Sequence, residues 1–129
     1  MATNTTRNRA RVLIIDDNPT MLKTIGALLE SDYDILVAKA GEKGLASAKK
    51  NIPDIILLDI IMPKMTGFDV IKILKEDDTT KNIPVIFLSG DDTTDSKEKG
   101  FELGAVDYIE KSLIEQSVKE SVDRNLKEI

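Results

Sequence analysis

Five short apolar runs, separated by segments with helical periodicity, constrain the fold of this chain more than any other feature. The first run, RVLIID (11–16), has no polar alternation and is rich in β-branched residues, as expected of a strand covered on both faces. Alternating strands and helices indicate parallel strands joined by right-handed crossovers. The other predicted strands are YDILVA (33–38), DIILLD (54–59), PVIFLS (84–89) and VDYIE (106–110).

The segments between these runs place apolar residues on one face of a helix. Pro19 suits the first turn of the first helix, Gly44 weakens the second, and Gly104 is expected to close the fourth. Five such units predict an α/β fold: a single doubly wound (βα)5 domain of the flavodoxin-like type, with a five-stranded parallel sheet in the order 2-1-3-4-5. The predicted helices are 19–31, 41–51, 66–78, 95–104 and 112–129, and residues 1–10 are expected to form a flexible N-terminal tail before a domain at 11–129.

The composition excludes several classes of function. The 129 residues suit one domain with a single core, and no apolar run is long enough to span a bilayer. A net charge of −5 without a basic stripe argues against nucleic acid as a partner of this domain. The chain has no Cys and no His, so any bound metal should be a hard cation held by oxygen. We therefore expect a cytoplasmic protein without a membrane or nucleic-acid partner.

Polar side chains lie at the ends of three predicted strands, the first, third and fourth, and directly after the fifth. In a parallel sheet these ends share one edge, and the order 2-1-3-4-5 opens a crevice between strands 1 and 3. Each such residue, taken alone, is more often a turn or capping residue. The joint pattern predicts that three carboxylates, a hydroxyl and an ammonium converge at this edge. The residues are Asp16 and Asp17 after strand 1, Asp59 after strand 3, Ser89 after strand 4, and Lys111 after strand 5.

Converging carboxylates favour a bound divalent cation. They repel one another, and oxygen-only ligands on rigid strand ends suit Mg²⁺ with several retained waters. With Lys111 and Ser89 beside the cation, the set suits a phosphoryl group, whose transfer needs positioning and charge neutralisation. Asp59 is the best candidate nucleophile because it is a lone acid on a central strand. Asp16 and Asp17 form a pair that is better suited to holding the metal.

The chain resembles the receiver domain of bacterial two-component response regulators, including the chemotaxis regulators. The similarity is carried by VLIIDDNP, DIILLDIIMPKMTGFDV, IPVIFLSG and GAVDYIEK, which are spread over residues 11–111. The resemblance implies a signalling switch and not an enzyme that acts on other substrates. Asp59 would accept a phosphoryl group from a phosphohistidine on a sensor histidine kinase or a histidine phosphotransfer protein. The chain lacks His, so it cannot be its own phosphohistidine donor.

The resemblance also implies how the phosphoryl group and the metal would be held. Asp17 and Asp59 would bind Mg²⁺ (or Mn²⁺) directly, together with the backbone carbonyl of Ile61. Asp16 would act through a metal-bound water, and Lys111 would contact the phosphoryl oxygens.

Two further residues match the switch of receiver domains. Ser89 would hydrogen-bond the phosphoryl group and move toward it, and Tyr108 would turn inward as Ser89 moves. These movements would alter the face formed by helix 4, strand 5 and helix 5, where a partner or a second copy of the chain usually docks. Tyr108 could equally be an ordinary half-buried aromatic residue of a strand.

The chain departs from the family after Lys111, where Ser112 replaces a proline that commonly follows a cis peptide. A cis bond before a residue other than proline costs about 2.5–4 kcal/mol. We therefore expect either a trans bond with a shifted loop or a strained cis bond. The stretch SLIE also predicts a capping box, with Ser112 as the N-cap of the last helix and Glu115 three residues later.

Three other functions compete with the phosphorylation switch. A phosphorylation-independent interaction module of the same fold usually lacks one of the acids or the lysine, and all are present here. A Mg²⁺-dependent phosphatase of the aspartyl-phosphate type would need a second acid at the position of Ile61. A flavin or dinucleotide carrier would need a glycine-rich first turn, and DDNPT offers none.

The output of the switch is not encoded in the 129 residues, because no effector domain follows the last predicted helix. The chain could be a single-domain regulator or a receiver taken from a longer protein. The last helix reaches Ile129 without a terminal tail, which slightly favours the longer protein. A homodimer is a further expectation by analogy.

Overall fold

The computed structural model describes residues 9–90 and 94–127 and contains one five-stranded parallel sheet in the order β2-β1-β3-β4-β5. This order confirms the predicted doubly wound α/β fold. Residues 1–8, most of the predicted tail, lie outside the described residues. Within the described part of the chain, no helix has both the length and the apolar character needed to cross a membrane. The strands are β1 (Arg11–Ile15), β2 (Asp34–Ala38), β3 (Ile55–Asp59), β4 (Val85–Ser89) and β5 (Asp107–Glu110).

The predicted helices are also present, with small differences at their ends. Two helices cover one face of the sheet and three cover the other, so the central strands β1, β3 and β4 are buried on both faces, as their apolar sequences predict. The edge strands β2 and β5 are partly exposed. The first and fifth helices pack together on one face. The helices are α1 (Pro19–Leu29), α2 (Gly41–Asn51), α3 (Gly67–Glu76), α4 (Thr94–Glu102) and α5 (Ile114–Lys127).

Strand alternation divides the core into two apolar layers. In β3, Ile56 and Leu58 face the layer under α2 and α3, whereas Ile55 and Leu57 face the layer under α1 and α5. All four side chains are fully buried. The strands pair in register, with Ile15 opposite Leu58 and Asp59 opposite Leu88, so the carboxyl ends of β1, β3 and β4 form one edge. This register brings the predicted polar residues to the same edge of the sheet.

The start of α5 differs from the predicted capping box. Lys111–Leu113 form a 3₁₀ turn, in which Ser112 is the middle residue, and α5 begins only at Ile114. The residue before the turn, Glu110, makes no side-chain capping hydrogen bond. The prediction of Ser112 as N-cap is therefore wrong, because the chain tightens into the helix through the 3₁₀ turn instead.

Gly44 has a steric role that helix propensity alone does not reveal. A Cβ built at position 44 would lie 2.4 Å from Cδ1 and 2.8 Å from Cγ1 of Ile15, which is fully buried in β1. A side chain at this position would therefore push α2 away from the sheet. Gly104 behaves as predicted: it has φ of +112°, and the amide of Ala105 donates to the carbonyl of Gly100, which closes the last turn of α4.

Gly44→Ala is expected to lower the free energy of unfolding by about 1–3 kcal/mol through overpacking, although alanine is the better helix former. Ile15→Val removes the Cδ1 atom that the new methyl group would meet. The double variant should therefore lose less stability than the sum of the two single variants. Urea denaturation of the four proteins measures this coupling, and additive losses would contradict a steric role for Gly44.

Candidate functional site

Three carboxylates converge at the carboxyl edge of the sheet. Asp16, Asp17 and Asp59 each place a carboxylate oxygen within 4.8 Å of the others. Asp16 and Asp59 are 0% and 2% exposed, whereas Asp17 is exposed to solvent. The predicted convergence of the acids at the ends of β1 and β3 is therefore present.

The turn after β1 holds Asp16 in place and leaves Asp17 at the surface. The amide of Asp16 donates to the carbonyl of Ala38, and its Oδ1 accepts a hydrogen bond from the amide of Asn18 at 2.9 Å. Asn18 in turn caps α1, because its Oδ1 accepts from the amides of Thr20 and Met21. Asn18 thus takes the capping role, and neither Asp16 nor Asp17 is needed to start α1.

The loop between β3 and α3 fixes the backbone next to Asp59. The amide of Ile60 donates to the carbonyl of Leu88 in β4, and the amide of Gly67 donates to the carbonyl of Ile60 at 2.7 Å. Thr66 and Asp69 form a capping box at the start of α3, since each side chain accepts from the backbone amide of the other. The loop therefore returns to the end of β3 and encloses Asp59.

Lys111 lies between two of the acids. Its Nζ is 3.0 Å from Oδ2 of Asp16 and 3.2 Å from Oδ1 of Asp59. The peptide bond between Lys111 and Ser112 is trans, since the described residues contain no cis peptide bond. The replacement of the family's proline is thus compatible with a lysine that points into the site.

Burial and mutual repulsion dominate the electrostatics of the site. Burial and the neighbouring carboxylate of Asp16 raise the pKa of Asp59 to about 7, although Lys111 acts in the opposite direction. Burial also disfavours the ammonium of Lys111, but its contacts with Asp16 and Asp59 outweigh this effect and raise its pKa. Asp59 therefore depends on nearby positive charge to remain ionised.

The residues fit a hard divalent cation. Oδ2 of Asp16 is buried and has no well-aligned hydrogen bond in the described part of the chain, although it lies within ion-pair distance of Lys111. An incompletely satisfied buried carboxylate beside two further carboxylates is the oxygen-rich environment that Mg²⁺ prefers.

The predicted backbone ligand, the carbonyl of Ile61, lies two residues after Asp59. This carbonyl accepts no hydrogen bond from the described residues. The side chain of Ile61 is 67% exposed.

The two predicted switch residues lie on the strands next to Asp59. Ser89 is buried at the end of β4, one residue beyond Leu88, the register partner of Asp59. Tyr108 lies on the edge strand β5, opposite Phe87, and packs half-buried against the core layer under α2 and α3. Ser89 therefore belongs to the edge that carries the acids, whereas Tyr108 lies farther along the sheet.

Asp107 anchors a polar network beside Tyr108 that no sequence motif predicts. Oδ1 of Asp107 accepts from the amide of Tyr108 at 2.8 Å, and Oδ2 accepts from Ser121 and Arg124 of α5, both at 2.5 Å. Burial alone would raise the pKa of Asp107, but these donors outweigh it and lower the pKa. The partners are distant in sequence, so no local motif could have revealed the network.

The fold and the site together define a doubly wound α/β protein with an acidic, lysine-containing site at its switch point. A family model of the response regulator receiver domain matches residues 12–123, and the chain therefore belongs to this family. Receiver domains act in two-component signalling, and phosphorylation and Mg²⁺ binding are general features of the family.

Known proteins with similar sequences and structures agree with this assignment. Protein PilH from Pseudomonas aeruginosa is 36% identical over 115 residues, which are 88% of this chain and 95% of PilH. Response regulator PleD from Caulobacter vibrioides is 39% identical over 105 residues, which are 81% of this chain but only 23% of PleD. The receiver domain of the Francisella response regulator 1452 gives a TM-score of 0.86 at 30% identity, over 93% of this chain and 98% of that structure.

Proposed function

We propose that residues 11–129 form a phosphoacceptor switch in which Asp59 receives a phosphoryl group from a phosphohistidine of a sensor histidine kinase or a histidine phosphotransfer protein. The observation that carries this proposal is the position of Lys111, whose ammonium lies 3.0 Å from Asp16 and 3.2 Å from Asp59. A cation held between two buried carboxylates is already placed to meet the charge of an incoming phosphoryl group. The position of Lys111 therefore distinguishes this site from a chance cluster of acids.

Each residue of the site has a defined role in the proposed transfer. A carboxylate oxygen of Asp59 attacks phosphorus, and the bond from phosphorus to the donor imidazole nitrogen breaks with its electron pair left on that nitrogen. Lys111 moves from the carboxylates to the phosphoryl oxygens. Because Asp59 is only 2% exposed, the surrounding loops limit the access of water to the resulting acyl phosphate.

Asp17, Asp59 and the carbonyl of Ile61 would hold Mg²⁺ or Mn²⁺, with Asp16 acting through a bound water. When bound, the cation neutralises charge on the phosphoryl oxygens during transfer. The buried carboxylate of Asp16, which lacks a well-aligned hydrogen bond, and the exposed carboxylate of Asp17 support this division of roles.

Phosphorylation would be read out through Ser89 and Tyr108. Ser89 lies at the same sheet edge as Asp59, and Tyr108 connects the neighbouring strand to α4. Movement of these residues would change the face formed by α4, β5 and α5, where a partner, a second copy of the chain or an effector domain of a longer protein would dock. In this proposal the chain acts on its own acyl phosphate and on no other substrate.

Intact mass after incubation with acetyl phosphate tests the proposal. In the presence of Mg²⁺ we expect a mass gain of one phosphoryl group, which is lost when Mg²⁺ is chelated or when Asp59 is replaced by Asn. Asp78→Asn is the matched control, because Asp78 is an exposed acid that pairs with Lys81, remote from the site; it should leave the adduct unchanged.

Beryllofluoride, a phosphoryl analogue, separates a short-lived adduct from an absent one. If no adduct accumulates but beryllofluoride binds with Mg²⁺, the switch is retained and the acyl phosphate is short-lived. If the folded protein neither forms the adduct nor binds beryllofluoride, the proposal is wrong and the chain is a phosphorylation-independent interaction module.

A further inference from the structure

Helix α4 buries little of its own side-chain surface in the core. Of its residues 95–102, for which the structure describes burial, only Gly100 is buried, and Phe101 is exposed. By contrast, α1, α3 and α5 each bury at least three side chains in the core. Because apolar burial provides most of the free energy that docks a helix, α4 must be held by other contacts.

Gly100 provides close contact between α4 and an aromatic pair. A Cβ at position 100 would lie 2.9 Å from the ring of Phe87, so the backbone of α4 rests directly on this side chain. Phe87 is fully buried in β4 and meets Phe68 of α3 edge-to-face, with ring centroids 5.4 Å apart and planes at 76°. The surface beneath α4 is therefore aromatic, while α4 itself contributes no large buried side chain within 95–102.

Two lysines of α4 lie over aromatic rings on either side of this contact. Nζ of Lys99 is 4.7 Å from the ring centroid of Phe68, and Nζ of Lys97 is 5.8 Å from the ring centroid of Tyr108. At 100° per residue, Lys97 and Lys99 point to opposite flanks of Gly100. One lysine therefore connects α4 to α3, and the other connects it to β5, both within the range of a cation–π interaction.

We propose that Lys97 and Lys99 form a two-point cation–π latch that holds α4 docked and Tyr108 in its observed position, and thereby opposes the phosphorylation-dependent change. This inference rests on the proposed function, in which Tyr108 moves when Asp59 is phosphorylated. Because the Lys97 contact is lost when Tyr108 leaves, the latch stabilises the unphosphorylated form. The Lys97 contact is expected to shift the equilibrium between the two forms by about two- to five-fold, whereas the Lys99 contact only strengthens the docking of α4.

The latch predicts specific effects of removing either cation. Lys97→Gln and Lys99→Gln should each accelerate amide hydrogen exchange in α4 by about two- to five-fold, because the substitution removes the cation while it keeps a polar side chain of nearly the same length. Lys97→Gln should also tighten Mg²⁺-dependent beryllofluoride binding by about two- to five-fold, since less of the free protein is held in the unphosphorylated form. Lys97→Arg should behave as the wild type, because a guanidinium retains the contact.

Lys50→Gln is the matched control, because Lys50 is an exposed helical lysine on α2 and contacts no ring in the described residues. It should change neither measurement. Tyr108→Leu, which removes the ring, should abolish the effect of Lys97→Gln on exchange, so that the two substitutions are not additive.

Each outcome decides a distinct part of the inference. Unchanged exchange in both lysine variants, or effects equal to those of Lys50→Gln, would overturn the latch. Faster exchange with unchanged beryllofluoride affinity would overturn its link to the switch. Hydrogen exchange needs no phosphoryl chemistry, so it tests the latch even if wild-type protein binds no beryllofluoride, in which case it is the proposed function that fails.

Discussion

Gly67→Ala is expected to lower the free energy of unfolding by about 3 kcal/mol and to displace the end of β3. A Cβ at position 67 would lie 2.3 Å from the carbonyl oxygen of Asp59 and 2.9 Å from Cα of Ile60. Both are backbone atoms, so no side-chain rotation can relieve the clash. The hydrogen bond from the Gly67 amide to the Ile60 carbonyl would break as the loop moves away. Urea denaturation measures the loss of stability. Mg²⁺-dependent beryllofluoride binding should weaken, because Asp59 is displaced with the end of β3.

Gly26→Ala provides a matched control within the same chain. Gly26 lies inside α1, and a Cβ there would meet nothing within 4 Å. The same substitution should therefore stabilise the protein by about 0.5–1 kcal/mol through helix propensity, without an effect on beryllofluoride binding. Equal losses of stability at Gly26 and Gly67 would show that the contact with Asp59 is not the cause.

The fold could be predicted because strands that are buried on both faces carry an uninterrupted apolar pattern. The run DIILLD correctly predicts the end of β3 at Asp59, but the strand begins one residue later than predicted, at Ile55. Asp54 instead accepts a hydrogen bond from the amide of Arg11 beside the sheet. Element ends depend on such individual hydrogen bonds. The pattern SLIE therefore predicts Ser112 as an N-cap, whereas the chain forms a 3₁₀ turn at Lys111–Leu113.

The acids of the site could be predicted because a parallel sheet brings the carboxyl ends of its strands together, independently of the conformation of the loops. The closing role of Gly104 was equally predictable, but the roles of Gly44, Gly67 and Gly100 were not, because they depend on contacts between distant parts of the chain. Helix propensity indicates only that Gly44 weakens α2, whereas it is the contact with Ile15 that requires glycine. Lys97 and Lys99 carried no signal for a similar reason: lysines on a polar helix are usually solvated, and nothing local shows that aromatic rings lie beneath them.

Lys111→Met is expected to lower the free energy of unfolding by an amount on the order of 3 kcal/mol when Mg²⁺ is absent. The ammonium bridges Asp16 and Asp59, which are both buried, and its removal leaves two neighbouring carboxylates without a counter-charge. A bound divalent cation would restore positive charge between them. Saturating Mg²⁺ should therefore recover most of the lost stability, and it should stabilise the variant more than the wild type. Denaturation with Mg²⁺ or with chelator measures both effects.

Two further variants separate charge compensation in the site from the general loss of a lysine. Asp59→Asn removes one of the repelling carboxylates, so the double variant with Lys111→Met should be more stable than Lys111→Met alone. Lys119 also contacts two acids, Asp32 at 3.2 Å and Asp123 at 2.9 Å, but all three side chains are partly solvated. Lys119→Met should cost far less and should not respond to Mg²⁺. If the two lysine variants lose equal amounts of stability and neither responds to Mg²⁺, Lys111 does not stabilise the protein by neutralising Asp16 and Asp59.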